Sequence, residues 1–394
     1  MERKIYQKLL EWKNSDFRKP LILQGARQVG KTYIVNLFAG REYVNYVYCN
    51  FEKEKGLDEF FNDLNPLTIL HKLENYKRKE ILPKNTLIIF DEIQASPKAI
   101  TSLKYFCEDA SEYHVIALGS LLGVSVNREN FSFPVGKVQL LNMYPMDFEE
   151  FMVANNVSAT TLNMLEDKFK TASPVDEFIH KKLLSMFFVY LIVGGMPDAV
   201  KAYINTKDIR EVDKVQRDIT TLYKEDFSQY ELEDKKLKVK SIYEIIPAEL
   251  NKQNKKFVFT MLDKELKFNR YENSFLWLKD AGVALPVYNV DAPVIPLLAS
   301  KCSNVFRLFS SDIGLLTSAY PAETKVELIN KNGEVNNGAH FENAVAQQLV
   351  ANGFEPYFCK KQKIGEMDFA IEMNGQVVPI EVKSGKAYKS HKAL

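Results

Sequence analysis

Gly25-Ala26-Arg27-Gln28-Val29-Gly30-Lys31-Thr32 is the stretch that decides how this chain is read. It fits GxxxxGK[ST], follows the apolar run Leu21–Leu23 and opens onto the helix-forming residues Lys31–Ala39. In that strand–loop–helix setting the spacing has a mechanism. Glycines let backbone N–H groups close around phosphate oxygens, and a helix beginning near Gly30 aims its positive end at them. Lys31 reaches the β- and γ-phosphates, and Thr32 offers its hydroxyl to Mg²⁺. Gly25 to Thr32 are therefore expected to grip a nucleoside triphosphate, ATP with Mg²⁺. A glycine-containing turn that only packs is disfavoured by motif and context together.

Working outward, Leu87-Ile88-Ile89-Phe90 reads as a central strand, because it is apolar without interruption. It ends in Asp91-Glu92. A phosphate-binding loop needs an acid there to hold Mg²⁺, the role expected of Asp91, and a second to polarise the attacking water, the role expected of Glu92. A further strand, His114–Leu118, ends in Gly119-Ser120, which makes Ser120 a candidate sensor of the γ-phosphate or water; an ordinary helix cap is the plainer reading. Tyr43–Cys49 and Val138–Met143 complete the expected strands. Alternation with amphipathic stretches predicts an α/β domain over residues 1–150, a parallel sheet with helices on both faces.

Composition bounds the rest. The chain has 394 residues, 46% of them hydrophobic and 26% charged, enough for two or three globular domains. Its net charge is +1, so no global field draws it to nucleic acid, and any such binding needs a local patch. The 4 cysteines lack disulfide or zinc spacing. The charged N-terminus lacks the apolar stretch of a signal peptide, and no apolar run approaches the roughly 20 residues of a membrane helix. A cytoplasmic protein without a membrane partner is expected.

Residues 151–330 read as mostly helical, with Phe178–Val193 and Ile209–Phe227 the clearest helices. The proline-interrupted segment Leu285–Leu298 is a candidate β-wing, which makes a winged helix one option for this region. The polar, Gly/Asn-rich run from Asn330 to Gly338 is a candidate linker into a third domain, residues 331–394. There a helix (Phe341–Ala351) and a strand around Tyr357 precede a hairpin, Met367–Glu372 and Val377–Val382, turned at Asn374-Gly375.

The run GARQVGKT, the segment IIFDEIQ and the strand end ALGS resemble the AAA+ and STAND-type P-loop ATPases. More narrowly, they resemble the prokaryotic AAA ATPases that carry a C-terminal domain of unknown function. Further similarity lies in Gly136-Lys137, Pro145-Met146-Asp147-Phe148, Gly194-Gly195-Met196-Pro197 and Phe309-Ser310-Ser311-Asp312-Ile313-Gly314-Leu315. Related proteins usually have Gly-Arg in place of Gly136-Lys137, and that arginine is a candidate finger on a neighbouring subunit's nucleotide. Lys137 keeps the charge without the planar fork, and Arg128 is a weaker alternative. A homo-oligomer is thus a candidate assembly.

A second constellation joins Glu342 on the C-terminal helix, Asp368 on the first hairpin strand, and Glu381 and Lys383 on the second. Alternate strand residues share a face, so Glu381 and Lys383 are expected to point the same way with Asp368 opposite. Carboxylates with an ammonium group suit Mg²⁺ and phosphodiester hydrolysis; an ordinary half-exposed hairpin shows such charge pairs too. The order of residues resembles the PD-(D/E)xK nucleases. That resemblance implies a restriction-endonuclease-like α/β fold, with Glu342, Asp368 and Glu381 as metal ligands and Lys383 as catalytic base or charge stabiliser. Ending at Leu394, the segment is short for a complete core of that type. Lys360, Lys361, Lys363, Lys386 and Lys389 with Tyr357 and Phe358 form a candidate phosphate-contacting patch, and nucleic acid is the candidate partner. The resulting expectation is an ATP-hydrolysing protein whose nucleotide state governs a nuclease-like domain, in nucleic-acid processing or defence. The alternative is an ATP-dependent switch whose C-terminal domain only binds.

Overall fold

The apolar runs become strands β1 (Leu21–Gln24), β2 (Asn45–Asn50), β3 (Thr86–Asp91), β4 (His114–Gly119) and β5 (Gln139–Asn142). All pair in parallel, in the order β2-β3-β4-β1-β5. β3 and β4 are buried along their whole length, as strands covered on both faces must be. β5, at the edge, alternates half-buried and exposed residues. The computed structural model describes residues 1–119, 133–230, 233–252, 257, 272–330, 338–361 and 365–383. Ser120, Arg128, Lys363, Lys386 and Lys389 lie outside them.

Helices α1 (Ile5–Lys13), α2 (Lys31–Glu42), α3 (Pro66–Lys77) and α4 (Pro97–Asp109) complete this first unit, Met1–Tyr144. Local chemistry starts two of them. Asn65 accepts from the Leu67 and Thr68 amides ahead of α3, and Ser96 accepts from Ala99 ahead of α4, each followed by a proline at the first helical position. Ile22, Ile88, Phe90, Leu103, Phe106 and Val115 form the core between sheet and helices. Because all five strands run the same way, β1 and β3 present their C-terminal ends at one edge of the sheet, where open parallel sheets bind ligands.

The second unit, Pro145–Leu394, begins with helices α5 (Phe148–Ala154), α6 (Ala159–Lys170), α7 (Glu177–Val193), α8 (Pro197–Thr206) and α9 (Ile209–Tyr230). Helices α10 (Glu233–Leu250), α11 (Glu272–Asp280), α12 (Ile313–Ser318), α13 (Ala322–Asn330) and α14 (Gly338–Ala351) follow. Its sheet is mixed. Strands β6 (Ala284–Val290), β7 (Lys301–Ser310), β8 (Tyr357–Lys361), β9 (Gly365–Met373) and β10 (Gln376–Ile380) take the order β10-β9-β8-β6-β7. The segment expected as a β-wing therefore supplies the middle of this sheet, since β6 pairs in parallel with β8 at Tyr288↔Tyr357 and Asn289↔Phe358. The hairpin turns at Asn374-Gly375, pairing Met373 with Gln376. β10 ends at Ile380, so Glu381 and Lys383 lie past the strand on which they were expected. The cause is local: the Asp368 carboxylate accepts the Val382 amide at 2.8 Å, taking a donor that would have extended the ladder.

Several motifs from the sequence meet at Asp312, which is fully buried. Its carboxylate accepts from the Gly195 amide at 2.6 Å and the Leu315 amide at 2.9 Å, and Gln347 Nε2 lies 3.4 Å away. Gly195 must be glycine, because a Cβ there would overlap the Met146 carbonyl. The last carbonyls of α7 find side-chain donors: Gln216 from α9 serves Ile192 and Val193, and Thr317 from α12 serves Leu191. Burial pushes the Asp312 carboxyl up to about 6 although four N–H donors, from Gly195, Leu315, Gln347 and Gly314, oppose the shift. Asp312→Ala strands two buried amides at about 1–3 kcal/mol each. We expect urea unfolding of the Asp312→Ala protein to lose about 3 kcal/mol or more, in the transition that reports residues 145–394.

Candidate nucleotide site and the C-terminal carboxylate cluster

Backbone placement makes the phosphate cradle. Gly25 sits at φ +151° with no room for a Cβ, which would overlap the Met143 carbonyl just past β5. The Met143 amide in turn donates to Gln24 O at 2.7 Å, and Gln24 Nε2 donates to Asn142 Oδ1 at 2.7 Å. These bonds close the loop against the edge strand. Gln28 and Gly30 both adopt the left-handed region, turning the chain into α2. The first turn of α2 carries no acid, so its positive end faces an anion without competition. Arg3, which nothing in the sequence marked, braces the loop: its guanidinium donates to Val29 O at 2.9 Å and Tyr144 O at 2.7 Å.

Lys31 folds back inside the cradle. Its ammonium donates to the carbonyls of Gly25 at 2.9 Å and Ala26 at 2.8 Å. Burial lowers its pKa to about 8, with Glu92 and Asp91 opposing the shift and Arg27 reinforcing it. Thr32 Oγ1 donates to Asp91 Oδ2 at 3.1 Å, linking the loop to the end of β3. Asp91 Oδ1 accepts the Glu92 amide at 2.9 Å. Glu92 stands in the left-handed region, and its carboxylate accepts from Gln94 Nε2 at 2.6 Å. Lys31, Thr32, Asp91 and Glu92 thus converge as their spacing suggested. The donors available to a cation are a hydroxyl and a carboxylate, hard oxygens that fit Mg²⁺.

Two further groups join the site without having been marked in the sequence. Tyr48 on β2 donates its phenol to Asp91 Oδ2. Glu52 follows β2, and its carboxyl is held above the usual range by lost hydration and by the charges of Glu92 and Asp91, against the pull of Arg27. The signal for Tyr48 was there to be used: Tyr48 and Asn50 alternate on β2, and the register sets Asn50 opposite Asp91. Lys137, which stands where related proteins have the candidate finger arginine, forms an exposed ion pair with Glu108 of its own chain at 2.8 Å, in keeping with a solvated basic side chain.

Residues 17–152 match the family model described as an AAA domain. This part of the chain is a P-loop ATPase domain. Residues 185–326 and 337–394 match two models that are each described as a domain of unknown function. No curated protein matches the chain. Among solved structures it is similar to a Walker-type ATPase of Pyrococcus abyssi, at 14% identity over 81% of this chain and 95% of that one, with a TM-score of 0.45. An ORC2 protein of Aeropyrum pernix, solved as ADPNP-ADP complexes, is 14% identical over 83% and 91%, with a TM-score of 0.36. A STAND protein with a tetratricopeptide repeat sensor from Pyrococcus horikoshii is 13% identical over 89% and 49%, with a TM-score of 0.30.

The C-terminal constellation is organised by a residue the sequence reading missed, Arg307 on β7, which is 1% exposed. Its guanidinium pairs with Glu366, lies 3.6 Å from Glu342 Oε2 and 3.9 Å from Asp368 Oδ1, and stacks over the Phe358 ring at 4.4 Å. Lys360 pairs with Glu366 from the other side, and Lys383 bonds Glu381. The Lys383 ammonium is held above its usual range first by that bond, with Asp368 and Glu342 contributing, so the four expected residues share one neighbourhood. Among the described residues no set of three metal-ligating side chains is arranged to hold an ion. An arginine inside the apolar run Val305-Phe306-Arg307-Leu308-Phe309 was the available clue, because a buried guanidinium requires acceptors, and carboxylates also answer its charge.

With an ammonium pKa of about 8, Lys31 is partly neutral at pH 8, and a phosphate anion beside it favours the protonated form. ATP binding should therefore take up protons between pH 7.5 and 9 and weaken as pH rises through 8. Calorimetry in buffers of different ionisation enthalpy reads this uptake, and Lys31→Ala should abolish it with the binding itself.

Proposed function

We propose that the chain hydrolyses ATP at the sheet edge where Lys31, Thr32, Asp91 and Glu92 meet. The observation that carries the reading is the direct bond from the loop hydroxyl of Thr32 to the Asp91 carboxylate, with the Lys31 ammonium and Glu92 beside it. In this reading Thr32 and Asp91 hold Mg²⁺, which when bound neutralises charge on the phosphates. The amides of Gly25–Thr32 orient the phosphate tail, and Lys31 leaves its loop carbonyls for the β- and γ-oxygens. Glu92 takes the proton of the attacking water once its carboxylate parts from Gln94. Ser120, the residue that follows β4 in the sequence and lies outside the described residues, is the proposed sensor. The Glu92→Gln protein should bind ATP with unchanged affinity and lose hydrolysis by at least about 100-fold; retained turnover removes Glu92 from that role.

For the C-terminal segment the buried Arg307 favours binding over cleavage. Glu342 and Asp368, the carboxylates a divalent cation needs, already face an internal cation, and Lys383 is engaged by Glu381. A second positive charge beside the guanidinium is opposed by repulsion in a poorly hydrated site. We therefore favour an ATP-governed switch whose C-terminal module recognises a partner, with nucleic acid the first to test. Single- and double-stranded DNA and RNA should survive incubation with the protein in Mg²⁺ or Mn²⁺. Cleavage that Lys383→Ala eliminates would establish the nuclease reading instead.

A further inference from the structure

Asp91 is held by more than the loop. We propose that Tyr48, supported by Asn50, is a positioning residue for the divalent-cation site, fixing the orientation of the Asp91 carboxylate from β2. This inference rests on the reading of Asp91 as the residue that holds Mg²⁺.

The geometry is a directed chain of hydrogen bonds. Tyr48 gives its only proton to Asp91 Oδ2, the oxygen that also accepts Thr32. Its own oxygen accepts from Asn50 Nδ2 at 3.3 Å. The Asn50 side chain is pinned at its other end, where Oδ1 accepts the amides of Glu52 at 3.1 Å and Lys53 at 2.9 Å. The Asn50 amide donates to Glu54 Oε1 at 2.9 Å, and Glu54 pairs with Lys77 at the end of α3. Each group therefore has one way to face, and the last of them is the phenol on the carboxylate.

Why this matters for a cation follows from the lone pairs. Each oxygen of an ionised carboxylate accepts in about two directions. Tyr48 and Thr32 fill those of Oδ2, and the Glu92 amide takes one of Oδ1. The carboxylate plane is thereby fixed before any ligand arrives. Mg²⁺ demands near-ideal octahedral placement of its donors and of the waters it keeps, so a rocking carboxylate costs affinity. Partners that orient a metal-holding group in this way are worth about 10–100-fold in metal affinity. Removing the phenolic oxygen leaves Asp91 one orienting donor fewer on the oxygen shared with Thr32.

Tyr48→Phe is the conservative test, since it removes one oxygen and keeps the ring. With saturating ADP and Mn²⁺ as the probe, electron paramagnetic resonance reads free Mn²⁺ directly. We expect the Mn²⁺ dissociation constant to rise about 10-fold, with ADP affinity in chelator and the thermal midpoint unchanged. Asn50→Ala, which leaves the phenol but frees its orientation, should fall between wild type and Tyr48→Phe. An unchanged Mn²⁺ constant in Tyr48→Phe overturns the proposal, as does an equal loss of metal-free ADP affinity, which would mark a general disturbance of the loop. Absence of Mn²⁺-dependent ADP binding in the wild type would instead sink the nucleotide reading itself, and this proposal with it.

Discussion

Everything at the nucleotide site depends on the place of β1 between β4 and β5. That register carries Gln24 to the sheet edge beside Asn142, and the chain then turns so tightly at Gly25 that only hydrogen fits against Met143. The cradle amides, the folded-back Lys31 and the Thr32 hydroxyl all follow from that turn. Arg3 reinforces it from the far end of the chain by tying the loop carbonyl of Val29 to that of Tyr144. A buried guanidinium held by two carbonyls is costly to break, because both carbonyls would lose a charged donor. These bonds fix the loop backbone where the cradle amides lie.

The second unit applies the same logic to different chemistry. At Asp312 three chain segments approach with almost no side chain between them, and a single carboxylate collects the amides that a helix start and a glycine turn leave over. At Arg307 the charges are reversed, one guanidinium among carboxylates from α14 and β9. Both centres are polar, buried and largely satisfied, which gives them specificity of arrangement more than net stability.

What the sequence disclosed tracks how local each signal is. The loop from Gly25 to Thr32, the acids closing β3 and the turn at Asn374-Gly375 are written in adjacent residues, and the five parallel strands appear within one or two positions of where apolar runs put them. Pairing between distant segments left no such mark. Nothing near Leu285 announces that it will lie beside Tyr357, and neither Arg3 nor Tyr48 carries a motif. Arg307 was nearly legible, since a charge in the middle of an apolar strand must be answered by something. Glu381 and Lys383 still meet each other, but they lie past the strand on which they were expected, because strand alternation was extended past Ile380, where a side chain had already taken the ladder's next amide.

The parallel contact between β6 and β8 also bears on inheritance. A stretch beginning near residue 338 can be recognised as a family unit by itself, yet its three strands lean on β6 and its carboxylates on Arg307, both encoded upstream. Recombination that moved only the terminal portion into another gene would deliver a bare sheet edge and take the Arg307 guanidinium away from Glu342, Glu366 and Asp368. The structural unit is longer than the recognisable one, and it starts no later than Ala284.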